Sequence, residues 1–389
     1  MNEMKFERQN GGVPKKLPGE DHISGFIAYV SDLPSGFSET NRIQAISTIE
    51  KAEGLGITAD AQEWATRVLH YQLSEIYRIN PGINLYVGLF AKPAGAYSFT
   101  EVKTIQNFAS GRIRQAAVYC GDVPLTEDSL VALKGVGDTL EAQDAPLSIF
   151  YAPKVIGVAA LPSVIAGANK QRVSVVIGQA GSGVGADLYA DEANANGDSV
   201  SGIGVVLGLV SKAKVHQSIG WVGQFPTGVT LPAFGDGSLL RDLDDAVVTA
   251  LDTARYLFFR TYSGFSDSYM NDSHTMDSAT SDYAMIENVR AMDKAVRGIR
   301  TYLLPELGSN LYVDPKTGQM QPYTVAHLQT VAGKQLEDME KAGEFSGYVV
   351  EIDPDQNVQS TSEVEFVIKP VGVGVMRKAR VKIGYVPNV

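Results

Sequence analysis

The stretch that decides how this chain is interpreted covers residues 261–305 and reads TYSGFSDSYMNDSHTMDSATSDYAMIENVRAMDKAVRGIRTYLLP. Its first half is polar, which predicts a loop. In its second half apolar residues recur at steps of three and four: Tyr283, Ile286, Val289, Met292 (or Asp293), Val296, Ile299 and Leu303. This spacing predicts a long helix with one apolar face, and Pro305 ends it.

The opposite face of the predicted helix is charged. It carries residues of alternating sign: Glu287, Arg290, Asp293, Lys294, Arg297 and Arg300. Opposite charges three and four residues apart form pairs along a helix surface, which predicts a solvated face. In a polymer the same face can equally contact another subunit.

On the N-terminal side of this stretch, short apolar runs alternate with helical patterns from Ile23 to about Arg260. This alternation is typical of a parallel or mixed sheet covered by helices, an α/β arrangement. The predicted strands are 26–30, 85–90, 115–120, 147–151, 173–177 and 256–260. The predicted helices are 59–77, 100–109, 126–142, 202–215 and 241–254.

On the C-terminal side a second amphipathic helix is predicted over residues 324–341, and Gly343 terminates it. Only strand patterns follow, at 348–352, 364–368 and 377–386. In the last one Ala379, Val381, Ile383 and Tyr385 point one way, whereas Lys378, Arg380 and Lys382 point the other. Such a strand is either an edge of its own domain guarded by lysines or a strand that pairs with another chain.

Composition restricts the class of protein. A chain of 389 residues with 44% hydrophobic and 20% charged residues predicts a folded protein of two or more domains. The net charge of −11 argues against nucleic acid as the main partner. The first nine residues lack the apolar core of a secretory signal, and the run 155–168 is too short for a membrane span. Cys120 is the single cysteine, so an intrachain disulfide is excluded.

A glycine-rich segment raises the alternative of a nucleotide-binding enzyme. Gly181, Gly183 and Ala186, within residues 178–186, formally match the dinucleotide pattern G-x-G-x-x-G/A. The match follows several strand and helix units instead of opening the domain, and the next apolar run ends without an acidic residue. The segment is therefore predicted to be a surface loop, and we expect no cofactor.

The histidines give little support to a metal or catalytic site. All five lie far apart, and none has the spacing of a zinc motif. His274 follows Asp272 and Ser273, but the chain lacks a G-x-S-x-G nucleophile elbow. A helix cap or a subunit contact is the favoured role of His274, and the sequence predicts a protein that is not an enzyme.

The quoted stretch resembles a block of contractile-tail sheath proteins, which include those of phage tails, tailocins and related injection systems. The shared features are Thr-Tyr at 261–262, Asn-Asp-Ser-His-Thr at 271–275, Ser-Asp-Tyr at 281–283 and the helix after them. Further matches are Gly-Ile-Thr at 56–58, Arg-Ile-Asn-Pro-Gly at 78–82, Gly-Tyr-Val-Val at 347–350 and Pro-Val-Gly at 370–372. Their order along the chain is typical of this family.

The resemblance implies a division into an N-terminal extended arm (1–21), an outer α/β domain (22–255), an inner α+β sheath domain (256–375) and a C-terminal strand arm (376–389). Both arms are expected to donate strands to neighbouring subunits. The helix 324–341 is the candidate tube-facing element, through Lys334, Glu337, Asp338 and Lys341.

The resemblance also implies a function and a set of partners. We expect a subunit that polymerises helically around an inner tube and contracts to drive the tube through a target envelope. The other expected partners are baseplate and tail terminator proteins, without contact to nucleic acid or membrane. Assembly is expected in the bacterial cytoplasm, as part of a virion tail or injection particle. A tube or capsid protein is the remaining alternative among polymers.

Overall fold

A computed structural model describes residues 19–161, 167 and 169–384 of the chain. The largest element is a six-stranded sheet in the order β2-β3-β1-β4-β5-β6. Its strands are β1 (Ser24–Val30), β2 (Ile43–Ile46), β3 (Leu85–Ala91), β4 (Gln115–Pro124), β5 (Ser148–Lys154) and β6 (Val173–Val175). β2 is antiparallel to β3, and the other neighbouring pairs are parallel. The mixed sheet predicted from the alternation of apolar runs and helical patterns is confirmed.

Helices cover both faces of this sheet. They are α1 (Ile49–Gly54), α2 (Trp64–Ile79), α3 (Glu101–Phe108), α4 (Glu127–Ala142), α5 (Val184–Tyr189), α6 (Ile203–Lys212) and α7 (Asp245–Thr253). Successive residues of a strand point to opposite faces, so Phe150 packs with α2 and α6, whereas Ile149 and Tyr151 pack with α3 and α4. The predicted helix 59–77 begins only at Trp64.

The glycine-rich segment is only in part the surface loop that the sequence predicts, since Ser182 and Gly183 lie in an exposed bend. Its first three residues form the buried strand β7 (Gly178–Ala180), which pairs antiparallel with β8 (Pro232–Phe234). A Cβ atom on Gly178 would lie 2.9 Å from the Cα of Phe258, and one on Gly185 would lie 2.7 Å from the Tyr71 hydroxyl. Close packing within the chain therefore explains these glycines.

Residues 256–259, which begin the predicted inner domain, pack into both cores of the large sheet. Leu257 and Phe259 lie in one core, and Tyr256 and Phe258 lie in the other. Leu257 pairs in parallel with Val176, so this segment extends the β-structure beyond β6. The strand β9 (Phe259–Thr261) then pairs antiparallel with β10 (Ser268–Met270).

A smaller unit follows at the C-terminal side. It contains α8 (Ile286–Leu303), α9 (Pro322–Lys341), β11 (Phe345–Glu351), α10 (Val358–Thr361) and β12 (Val367–Gly372). β11 and β12 form an antiparallel sheet of two strands, and α9 packs on it. The strand predicted at 377–386 is not formed in its described part, residues 377–384. Tyr385 and most of the predicted N-terminal arm lie outside the described residues.

Candidate assembly surfaces

The first half of the charged face of α8 is buried and only its end at Arg300 is exposed, so the prediction of a solvated face is wrong for most of its length. Glu287, Arg290 and Asp293 are only 3%, 4% and 6% exposed. Asp293 accepts two hydrogen bonds from the Arg172 guanidinium, at 2.7 and 2.9 Å, in a bidentate pair. Arg172 precedes β6, 121 residues earlier in the chain, and the helix alone gives no sign of this partner.

The rest of this face also bonds to other parts of the chain. Arg290 donates to the carbonyl oxygen of Ala213 at 3.3 Å, and burial lowers the pKa of Arg290 to about 10. Lys294 pairs with Asp21 at 2.7 Å and with Glu344 at 2.6 Å. α8 is therefore joined to its surroundings mainly by ion pairs and hydrogen bonds on this side.

The apolar stripe predicted for α8 is only partly buried. Ile286 and Val289 lie in the interior, but Val296 is 53% exposed. Tyr283 precedes the first residue of the helix. The first part of the stripe therefore packs in the interior, whereas its later part lies at the surface of the subunit.

The polar loop before α8 has a structural role and does not form a catalytic triad. The Ser273 hydroxyl donates to the Glu287 carboxylate at 2.6 Å and does not contact an imidazole. His274 is buried, and its Nε2 lies 3.3 Å from an Asp252 oxygen. The loop therefore connects the large body to the first turn of α8.

The two-stranded sheet presents apolar side chains to solvent. Tyr348, Val350 and Ile368 turn toward α9 and its neighbours, but Val349 and Val371 on the other face are 48% and 55% exposed. In the described part of the chain β11 and β12 pair only with each other, so each has one edge without a partner strand. Unpaired edges with apolar side chains are typical of surfaces that bind another strand.

Residues 373–384 extend from this sheet and remain exposed. Ala379, Val381 and Ile383, the predicted strand arm, are all exposed, with 81% of Val381 and 96% of Ile383 accessible. Arg377 is an exception that the sequence did not single out, because its guanidinium contacts Asp272, Ser273 and Glu287. Its partners lie about 100 residues earlier, and nothing in the local pattern identifies them.

The predicted tube-facing residues lie along the outer side of α9. Lys334, Glu337 and Lys341 are exposed, and Asp338 is partly exposed. Lys334 Nζ lies 4.9 Å from the ring centre of Tyr302 in α8, a cation–π distance. Lys341 pairs with Glu337 one turn away. These contacts leave the role of α9 in tube binding a prediction.

The described residues also bear on metal sites and membrane spans. In these ranges three or more His, Cys, Asp or Glu side chains do not cluster as a metal ion would require. In the same ranges every helix is either too short or too polar to cross a membrane.

Comparison with protein families gives two matches that together cover most of the chain. The N-terminal domain of DUF2586 matches residues 1–274, and the C-terminal domain of DUF2586 matches residues 282–389. A curated protein of Haemophilus phage HP1 (strain HP1c1), whose name describes a tail sheath protein, is 29% identical over 106 residues. That alignment spans 27% of each of the two chains.

Comparison with solved structures reveals the same fold over almost the whole chain. A chain in the cryo-EM structure of the anti-feeding prophage baseplate matches with a TM-score of 0.60 at 14% identity, covering 99% of both chains. A chain in the contracted PVC sheath complex of an extracellular contractile injection system matches with a TM-score of 0.60 at 11% identity, and the match covers 99% of both chains. A sheath tail protein from Listeria innocua gives 0.53 at 9% identity, over 92% of this chain and 96% of that one.

The chain belongs to the DUF2586 family. Its fold is that of sheath subunits of contractile machines, and the predicted resemblance to the contractile-tail sheath family is confirmed.

Proposed function

We propose that this DUF2586 chain is a tail sheath subunit, which polymerises helically around an inner tube and contracts to drive that tube through a target envelope. The observation that carries the proposal is the shared fold, which extends over 99% of the chain and of its sheath relative. The role is structural and not catalytic. Three glycines of residues 178–186 support this, because close packing within the chain accounts for Gly178, Gly181 and Gly185.

Strand exchange is the proposed link between subunits. The C-terminal arm of one subunit pairs with an open edge of the β11–β12 sheet in the next subunit. Ala379, Val381 and Ile383 then lie on the same side as the exposed apolar side chains of that sheet. The exposure of these arm residues and of the sheet edges in the single subunit supports this pairing. Each backbone hydrogen bond gained contributes about 1 kcal/mol net, and a strand forms several. Residues 1–21 form the second arm.

Head-to-tail contacts of this kind build an open filament instead of a closed ring. The extended sheath is the metastable state, and contraction widens each ring while burying more surface between subunits. The baseplate triggers the change, and a terminator protein caps the other end. Assembly takes place in the bacterial cytoplasm, and the product is a component of a virion tail or injection particle.

In this arrangement the large sheet forms the outer domain, and the unit of α8, α9, β11 and β12 forms the inner one. We place their boundary near residue 282 instead of 255, because residues 256–259 pack into the cores of the large sheet. α9 faces the tube through Lys334, Glu337, Asp338 and Lys341.

Electron microscopy of the full-length protein tests the proposal. The purified chain should form tubes or stacked rings, because the contracted lattice is the stable one. Removal of residues 378–389 should abolish the tubes and leave a folded subunit with a near-native melting curve. Arg377 is kept in this variant because Glu287 would otherwise remain buried without a cation.

Two outcomes would contradict the proposal. A full-length protein that stays monomeric at high concentration in several salts argues against a sheath subunit. A truncated protein that aggregates or melts early argues that the last strand belongs to its own domain.

A further inference from the structure

The first described residues of the chain, at the end of the predicted N-terminal arm, lie next to α8. Asp21, close to the beginning of the described chain, has one carboxylate oxygen 2.7 Å from Lys294 Nζ and the other 3.9 Å from Arg297 Nη2. Its carbonyl oxygen accepts a hydrogen bond from Gln115 at 3.0 Å. Burial acts to raise the pKa of Asp21, but the cations of α8 outweigh it and hold this pKa below its ordinary value.

The C-terminal arm leaves the body next to the same helix. Arg377 Nε lies 3.0 and 3.1 Å from the two carboxylate oxygens of Asp272, and Nη2 lies 3.2 Å from the Ser273 hydroxyl. The same guanidinium contacts Glu287 in the first turn of α8. The neighbouring Met376 is 85% exposed. Within residues 373–384, the side-chain hydrogen bonds to the body are those of Arg377.

The two contacts lie on one rigid element and have opposite sign. Glu287, which holds the C-terminal arm, and Lys294, which holds the N-terminal arm, are about 10 Å apart along the helix axis. We propose that α8 is the shared anchor of both arms, and that Asp21 and Arg377 are positioning residues that fix the directions in which the arms leave the subunit. This proposal rests on the proposed strand exchange.

Fixing the root of an arm has a physical benefit. An arm that leaves in one direction samples fewer conformations before it meets the edge of a neighbouring sheet. Less conformational entropy is then lost when the strands pair, so the association is tighter without any additional contact. The anchor therefore acts on assembly even though the anchoring residues do not touch the next subunit.

The experiment uses the full chain and a set of charge variants. Arg377→Glu breaks the anchor, and Arg377→Lys keeps its charge. Asp272→Arg combined with Glu287→Gln and Arg377→Glu restores an ion pair of reversed sign without placing two carboxylates in contact. Arg380→Glu makes the same charge change in the same arm, but Arg380 forms no ion pair within the described residues.

The first measurement is made on single subunits at low concentration. Spin labels on Lys378→Cys and Lys212→Cys, both exposed positions, report the distance between arm and body. We expect Arg377→Glu to widen the distance distribution about twofold or more. The Arg377→Lys, reversed-pair and Arg380→Glu proteins should keep the narrow distribution of the parent. An unchanged width in Arg377→Glu, or no recovery in the reversed pair, would overturn the anchor.

The second measurement is the fraction of protein in tubes by sedimentation. Arg377→Glu should reduce it about tenfold, and the reversed pair should restore most of it. A parent chain that forms no tubes contradicts the proposed function, whereas the labels still test the anchor on single subunits. Should Arg377→Glu not fold, Glu287→Gln with Arg377→Gln removes both charges, and the same widening is expected.

Discussion

The six-stranded sheet and the β11–β12 sheet differ in how completely other parts of the same chain cover them. In the six-stranded sheet the central residues, such as Phe26 and Phe150, are completely buried, and helices cover both faces. In the β11–β12 sheet one face exposes Val349 and Val371, and each strand has an edge without a partner. The first sheet is a complete folding unit, whereas the second is stabilised on one side only. This difference separates residues that fold the subunit from residues available for assembly.

Removing one apolar side chain from each sheet tests this difference most directly. Phe150→Ala should lower the free energy of unfolding by about 3–5 kcal/mol, because it leaves a cavity in a packed core. Val371→Ala in β12 should change it by less than about 0.5 kcal/mol. Urea denaturation measures both values. Similar losses in the two variants would mean that the small sheet is part of the same packed core.

The buried ion pair of Arg172 and Asp293, the joint between the region of the large sheet and α8, gives the next largest effect. Asp293→Ala should cost about 2 kcal/mol, because Arg172 then loses its buried carboxylate partner and keeps only the half-exposed Glu141. Arg300→Ala is the matched control, since the pair of Arg300 with Asp144 is exposed and worth little. Replacement of both partners, Arg172→Met with Asp293→Leu, should recover much of the loss. If the double replacement does not recover the lost free energy of unfolding, the ion pair itself stabilises the contact between α8 and the large-sheet region.

The pH dependence of stability tests the contribution of His216, which lies near α8 and Glu344. Burial lowers the pKa of His216 below its ordinary value. At pH values around and below the ordinary histidine pKa, the unfolded chain therefore binds more protons than the folded one. The free energy of unfolding should therefore be highest above about pH 6.5 and decrease as the pH falls below it. His216→Gln should flatten this slope in urea titrations between pH 5 and 8. A variant with the parent slope would assign the pH dependence to other groups.

The arm should give the smallest change in folding energy. Ile383→Glu should alter the free energy of unfolding by less than about 0.5 kcal/mol, because the side chain is exposed in the single subunit. The same variant should abolish tubes in electron micrographs, because a charge would lie on the apolar side of the donated strand. Lys382→Gln, on the other side of the strand, should still form tubes. Tubes in the Ile383→Glu protein would remove the apolar side of the arm from the interface.

The elements that could be predicted from the sequence are those with strong local patterns. The central strands are almost entirely apolar, and α2 and α9 have clear helical periods. The short strands β7 and β8 were missed, because three residues such as Gly-Gln-Ala carry no period. Tertiary pairing alone forms them.

The charged face of α8 was misread for a different physical reason. Charges of alternating sign at helical spacing look the same whether they face water or the charges of another segment. The deciding partners, Arg172 and Asp21, lie more than 100 residues away in sequence. The alternation of apolar and basic residues in the C-terminal arm is local and predicts a strand, but residues 377–384 form no strand in the single subunit, and pairing with a neighbouring subunit stays a prediction.

The buried ion pairs of α8 also set an order for events during synthesis. Arg172 and Asp21 leave the ribosome long before Asp293 and Lys294, and Arg377 follows later still. A nascent chain whose large sheet has folded first, as N-terminal domains generally do, therefore carries charges that still lack their partners. Only after α8 has docked are both arm roots held in place. Translation itself would then delay the appearance of subunits ready to join a filament, which keeps unfinished chains out of the growing polymer.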